Sequence, residues 1–147
     1  MIESLPVVFI NTDGVFLLLA FALGYFWFVE KNRSYAIKMM ISSVAVFAVV
    51  VALKELFLEP RPFVMSGDVA FAGMTPLSSF PSFHAALAFS TATSVSFKKK
   101  RLGILLFVIA ALLAFGRVAA NVHYPIDVLV GIMIGILISA FVEGLDI

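Results

Sequence analysis

The chain contains two histidines, and both lie among residues that suit transfer of a phosphoryl group. Asp127 follows His123 by four residues, so a helix that begins near Tyr124 places both side chains on one face. A carboxylate in that position accepts the proton of one imidazole nitrogen and leaves the other nitrogen free to attack. His84 comes from a different segment and could protonate a leaving oxygen. These residues predict nucleophilic and acid–base catalysis.

Three of the ten lysines and arginines lie apart from the other seven and, like both histidines, near one end of an apolar segment. Lys54, Arg61 and Arg117 would together hold a dianionic phosphate, because arginine offers planar bidentate donors and lysine a point charge. Ser82 could cap the helix that follows it, so that its hydroxyl and the free amides of the helix start, including that of Phe83, could cradle phosphate oxygens. Phosphoryl transfer needs mainly such positioning and charge neutralisation.

These residues fall into three short motifs that occur in a fixed order along the chain. The motifs are Lys54-x6-Arg61-Pro62, then Pro81-Ser82-Phe83-His84, then Arg117-x5-His123-x3-Asp127. They resemble the signature of the type 2 phosphatidic acid phosphatase superfamily of membrane lipid phosphatases, which reads K-x6-R-P, P-S-G-H and S-R-x5-H-x3-D. The resemblance covers roughly half of the chain, and the matched order and spacing make it specific.

The resemblance implies a role for each catalytic residue. His123 is then the nucleophile that forms a phosphohistidine, Asp127 orients it, and His84 is the general acid that later activates water. It also implies that neither a metal nor another cofactor takes part. The sequence agrees, because one carboxylate among three cations is a poor site for a divalent ion.

Two positions depart from the signature. Phe83 replaces its glycine, so we expect strain if the backbone there needs a positive φ, although the amide can still donate. Gly116 replaces the serine before Arg117 and removes one possible hydroxyl donor.

The composition places the site in a membrane protein. Of 147 residues, 63% are hydrophobic and 13% charged, against about 45–50% and about 25% in soluble domains, and the mean hydropathy is +1.13. A soluble domain, a disordered chain and a nucleic-acid binder are therefore excluded. The absence of cysteine excludes disulfides and thiolate catalysis.

Five apolar segments predict an all-α fold, an integral membrane bundle of about five helices in a single domain over residues 1–147. The segments cover about 13–29, 35–58, 82–97, 102–120 and 125–142. Residues 5–10 are too short to span and predict an interfacial helix. The amino terminus lacks the basic flank of a signal peptide, so we expect the first segment to be retained.

Seven basic residues predict the orientation of the bundle. Lys31 and Arg33 lie between the first two segments, Lys38 lies in the first turn of the second, and residues 98–101 lie between the third and fourth. Loops rich in lysine and arginine stay in the cytoplasm. The motifs then share the extracytoplasmic face of the cell membrane. Gly131 and Gly135 are interpreted as helix-packing positions, and their spacing could also support a homodimer.

The predicted substrate is a lipid phosphate or diphosphate whose tail stays among the membrane lipids. We favour a polyprenyl diphosphate of the undecaprenyl type, with phosphatidic acid or phosphatidylglycerophosphate as the alternative within enzymes. A lipid-phosphate binder or transporter without catalysis is the alternative of another class. Taken singly, His84 fits a structural role at the membrane interface equally well, and Lys54 fits a side chain that snorkels outward.

Overall fold

The computed structural model describes residues 13–67 and 78–145, and this part of the chain is built from helices. The helices are α1 (Gly14–Gly24), continued by a π-helical turn (Tyr25–Val29), α2 (Arg33–Leu56), α3 (Pro62–Ser66), α4 (Phe83–Lys98), α5 (Lys100–Ala119) and α6 (Pro125–Glu143). Each predicted apolar segment contains one long helix, so the all-α prediction is confirmed. The short α3 was not predicted, and the interfacial helix expected over 5–10 lies outside the described residues.

The five long helices differ in their ability to cross a bilayer. In the described part of the chain, α2, α5 and α6 are long and apolar enough to do so, with 24, 20 and 19 residues. Helix α4 has 16 residues, which corresponds to roughly 24 Å against the roughly 30 Å of a hydrocarbon core. Helix α1 with its π-helical turn is likewise a shorter apolar helix. Three of the five predicted spans therefore have the expected length.

Helix α4 is the centre of the bundle and contacts all four other long helices. Alanine, serine and threonine make up most of its buried residues, and such small side chains let neighbouring helices approach closely. A Cβ at Gly131 of α6 would lie 2.5 Å from the Ser82 carbonyl oxygen, and one at Gly135 would collide with the Ala86 carbonyl. The predicted packing role of both glycines is confirmed within the chain, whereas a homodimer stays a prediction.

The outer surface of the bundle is apolar. Large hydrophobic side chains on α1, α2, α5 and α6 are more than half exposed, as at Phe21, Val44, Leu112 and Leu137. Exposed apolar surface of this extent suits contact with lipid rather than water. The bundle thus has a lipid-facing exterior around the small-residue contacts of α4.

The loops gather at two ends of the bundle. At one end, Lys99 pairs with Glu30 at 2.7 Å, and Lys98 lies 5.3 Å from the ring centre of Tyr35. Lys38 donates to the carbonyl of Glu143 at 3.1 Å. The two basic loops therefore share one end, as predicted, and we call it the basic end. The opposite end carries the three sequence motifs.

Candidate active site

Hydrogen bonds to backbone groups fix the turn between α5 and α6. The Arg117 carbonyl accepts from the amides of Val122 at 3.2 Å and His123 at 3.3 Å. On the other side of the turn, Arg61 donates from Nη1 to the Val122 carbonyl at 2.9 Å. These contacts bring the first and third motifs together around His123.

His123 is buried, with 3% of the residue exposed. Its Nδ1 lies 3.5 Å from Oδ2 of Asp127, and its Nε2 lies 3.4 Å from Nη1 of Arg61. A carboxylate beside Nδ1 favours the tautomer that carries its proton there, so that the lone pair is on Nε2 and faces Nη1 of Arg61. The imidazole therefore presents its Nε2 toward an arginine.

The start of α6 places His123 and Asp127 as the sequence predicts. The helix begins at Pro125, and Tyr124 is its N-cap residue. The Tyr124 amide donates to Oδ2 of Asp127 at 2.9 Å, so the carboxylate also caps its own helix. This bond fixes the carboxylate beside the imidazole.

Ser79 lies beside Asp127, although sequence reasoning missed it. It is fully buried, and its Oγ donates to Oδ2 of Asp127 at 2.5 Å. No motif includes this position, and its role depends on how the loop folds back onto α6. Oδ2 of Asp127 thus accepts hydrogen bonds from the Ser79 hydroxyl and the Tyr124 amide, and it lies 3.5 Å from Nδ1 of His123.

Lys54 holds the segment that carries Ser79. Its Nζ donates to the Ser78 carbonyl at 2.5 Å and lies 3.4 Å from the Ser79 carbonyl. The Ser79 amide in turn donates to the Glu59 carbonyl at 3.0 Å. The ammonium group therefore positions this loop as well as adding positive charge to the site.

Three cations surround the imidazole. Burial and, to a smaller extent, the charges of Arg117, Arg61 and Lys54 together lower the pKa of His123 to about 4, against the opposing effect of the hydrogen bond to Asp127. Both arginines are buried. Ionised side chains are costly in a membrane bundle and mark a site or pathway. A neutral imidazole among three cations and one carboxylate suits a bound anion.

The start of α4 adjoins the start of α6. Ser82 is the N-cap residue of α4 and accepts from the Ala85 amide at 3.5 Å, as predicted. Its own amide donates to the Asp127 carbonyl at 2.9 Å. Phe83 is the first residue of the helix and has helical backbone. Phe83 is not among the described residues with a positive φ, so the condition for strain is not met, because a helix start demands no glycine there.

His84 is the second residue of α4 and is half-buried. Its ring centre lies 6.2 Å from that of Phe16 and 6.0 Å from that of Phe83. The second motif thus lies at the same end of the bundle as the other two. Within residues 13–67 and 78–145, no three His, Cys, Asp or Glu side chains form a group that could hold a metal ion.

Comparison with known proteins identifies the family. A model of the PAP2 superfamily matches residues 35–143, which include all three motifs. The chain belongs to the PAP2 superfamily. Its membership confirms the resemblance of the motifs to the type 2 phosphatidic acid phosphatase signature.

Two curated relatives show how similar the sequence is to those of known proteins. The chain is 30% identical over 140 residues to the bacitracin transport permease protein BcrC of Bacillus licheniformis, covering 93% of this chain and 69% of that protein. It is 27% identical over 109 residues to the undecaprenyl-diphosphatase BcrC of Bacillus subtilis (strain 168), covering 74% and 56%. The chain thus spans little more than half the length of the second relative.

The fold is also that of a solved family member. The crystal structure of Aquifex aeolicus LpxE superposes with a TM-score of 0.79 at 30% identity, covering 97% of this chain and 88% of that one. The agreement extends over almost the whole helical bundle.

Proposed function

We propose that the chain removes the terminal phosphate of a polyprenyl diphosphate of the undecaprenyl type through a phosphohistidine at His123. Membership of the PAP2 superfamily makes the chain a membrane lipid phosphatase. One observation carries the mechanism: the buried imidazole of His123 lies between the Asp127 carboxylate and the Arg61 guanidinium.

The first step forms a bond between Nε2 of His123 and the terminal phosphorus, and breaks the bond from that phosphorus to the bridging oxygen. Lys54, Arg61 and Arg117 neutralise the charge on the equatorial oxygens. Asp127 holds the Nδ1 proton and stabilises the charge that the ring acquires. His84 gives a proton to the bridging oxygen as the lipid monophosphate leaves.

The second step regenerates the enzyme. His84, now neutral, takes a proton from water, and the resulting oxygen attacks the phosphorus of the phosphohistidine. The N–P bond breaks, inorganic phosphate leaves, and His123 returns to its neutral form. The Ser82 hydroxyl and the Phe83 amide lie at the end of the bundle where phosphate oxygens would bind, whereas the Ser82 amide donates to the Asp127 carbonyl. No step needs a metal ion.

The name of the undecaprenyl-diphosphatase relative supports the choice of a polyprenyl diphosphate. The apolar exterior of the bundle would leave the tail of such a lipid in the bilayer while its head group enters the cationic site. Phosphatidic acid and phosphatidylglycerophosphate share that arrangement, so they are the comparison substrates in the test.

The proposed location is the extracytoplasmic face of a cell membrane that the chain crosses several times. Seven basic residues gather at the other end of the bundle, where the positive-inside rule places the cytoplasm. Cysteines placed singly at Met65, which is exposed near the site, and at Lys100 test this. We expect an impermeant thiol reagent to label intact cells at position 65, and labelling at position 100 alone would invert the topology.

A phosphate-release assay on the protein purified in detergent tests the activity. We expect faster turnover of undecaprenyl diphosphate than of either glycerolipid, and no loss of rate in EDTA. Faster turnover of a glycerolipid would overturn the substrate, and a loss restored by Mg²⁺ would overturn the metal-free mechanism. If no lipid phosphate is hydrolysed, the protein is a lipid-phosphate binder or transporter.

A further inference from the structure

Three phenylalanines from different helices meet beside the candidate general acid. The ring of Phe83, at the start of α4, lies 6.3 Å from that of Phe16 in α1. On its other side it lies 5.8 Å from that of Phe47 in α2, at an interplanar angle of 84°. We call Phe16, Phe47 and Phe83 the aromatic wall.

The aromatic wall connects the site with the surrounding lipid. Phe16 is 50% exposed and Phe47 is 55% exposed, while Phe83 is half-buried between them. The His84 ring packs against both Phe16 and Phe83. An apolar surface therefore runs from the imidazole of His84 to the outside of the bundle.

The wall lies where the part of a substrate next to its diphosphate would be. If His84 protonates the bridging oxygen, the inner phosphate lies just beyond that oxygen, and the first unit of the lipid tail follows it. In an isoprenoid this unit is a branched alkene, whereas in a glycerolipid it is a glycerol with two ester groups. Aromatic rings pack well on the former but offer no donors to replace the water lost by the ester oxygens.

We propose that the aromatic wall is the subsite for the first isoprene unit of the substrate and selects isoprenoid over glycerolipid diphosphates. The proposal rests on the proposed phosphatase function and adds the source of its selectivity. Phe83 stands at the signature position that holds glycine, where a side chain is absent. Phe83 therefore brings to the wall a ring that a glycine would lack.

The test compares two diphosphates that differ after the diphosphate group, farnesyl diphosphate and diacylglycerol diphosphate. The variants are Phe16→Ala, Phe47→Ala and Phe83→Gly. Phe115→Ala is the matched control, since Phe115 is a 71% exposed phenylalanine on α5 near the same end of the bundle. We expect each wall variant to lower the ratio of kcat/KM for the isoprenoid over the glycerolipid by about three- to tenfold, and the control to leave it unchanged.

A binding measurement separates this proposal from the proposed function. Methylene-bridged analogues of both diphosphates cannot be hydrolysed at the bridge, so their Kd values report the subsite without turnover. A ratio of Kd values that shifts in the wall variants supports the subsite, even if the wild type were to release no phosphate and the proposed function failed. Equal losses for both lipids, or an unchanged ratio in the exposed Phe16 and Phe47 variants, would overturn the subsite while leaving the phosphatase intact.

Discussion

The two ends of the bundle carry the same kinds of charged residue in opposite surroundings. At the basic end, Lys31, Arg33, Lys100 and Arg101 are exposed, and Lys99 pairs with Glu30 at the surface. At the site end, the guanidinium of Arg61 is buried against the imidazole of His123.

The difference separates charged side chains that the fold buries from charged side chains that stay exposed to solvent. Burying an ionised group costs several kcal/mol after relaxation, so buried positive charge persists where hydrogen bonds and charges of opposite sign offset that cost. Exposed charges at a membrane surface carry no such cost and can orient the helices. Paired substitutions at the two ends test this distinction.

The largest difference is expected between His123→Ala and Lys99→Ala. Loss of the nucleophile should reduce phosphate release to that of the buffer control, while Lys99→Ala stays within about twofold because surface ion pairs contribute little. With terminally ³²P-labelled substrate and an alkaline quench, the wild type should retain label on the protein and His123→Ala none. Near wild-type turnover by His123→Ala would refute the phosphohistidine.

His84→Ala should lose about 10²- to 10⁴-fold in kcat on lipid substrates, the usual contribution of a general acid. The loss should be much smaller in the first-turnover burst of p-nitrophenol from p-nitrophenyl phosphate, because that leaving group departs without a proton and the water-activation step comes later. Equal losses on both substrates would remove His84 from leaving-group protonation.

Arg61→Lys should lower kcat/KM by about 10²- to 10³-fold, since lysine keeps the charge but loses the planar donors that face the transferred phosphate. Arg101→Lys makes the same chemical change at the exposed basic end and should stay within about twofold. If both variants lose kcat/KM to the same extent, the burial of Arg61 does not make it more important for activity than the exposed Arg101.

Ser79→Ala should reduce kcat by about tenfold, because the Asp127 carboxylate loses a hydrogen bond from a buried hydroxyl. Ser79→Thr keeps the hydroxyl and should recover most of the rate. Ser43→Ala is the control, since Ser43 donates to the Met39 carbonyl within its own helix. Failure of threonine to restore activity would reduce Ser79 to a packing residue.

The last expected effect is in the pH dependence of stability rather than in the rate. Folding lowers the pKa of His123 from 6.5 to about 4, so the unfolded chain binds a proton first as the pH falls. The His123 contribution is therefore present above pH 6.5 and is lost progressively toward pH 4, by about 3 kcal/mol in total.

Thermal unfolding in detergent at a series of pH values measures this contribution. The fall in Tm between pH 6.5 and 4 should be smaller in His123→Ala than in the wild type, and Lys99→Ala should fall with the wild type. Parallel curves for His123→Ala and the wild type would show that His123 is already solvated in the folded protein.

The long helices could be predicted from the sequence because their ends depend on residues that lie next to them in the chain. Proline, charged residues and an N-cap serine interrupt the apolar runs, and the predicted start at residue 82 lies one residue from the observed start of α4 at Phe83. The i, i+4 relation of His123 and Asp127 likewise needs only the pitch of a helix and its starting point.

Contacts between segments that are distant in the sequence could not be predicted from local residue patterns. Ser79 reaches Asp127 across 48 positions of the sequence, and the Lys54 contacts to Ser78 and Ser79 depend on how the intervening loop returns. The aromatic wall also combines three helices. The sequence motifs therefore predict which groups participate in the site, while tertiary packing determines their mutual orientation.

The glycine contacts between α4 and α6 also set the axial register of these two helices. His84 is at the start of α4, and His123 immediately precedes the N-cap residue of α6. A side chain at Gly131 or Gly135 would push α6 away from the α4 backbone or slide it along that helix. The separation of His84 and His123, the proposed acid and nucleophile, is consequently fixed from deep within the bundle by two glycines outside the candidate site.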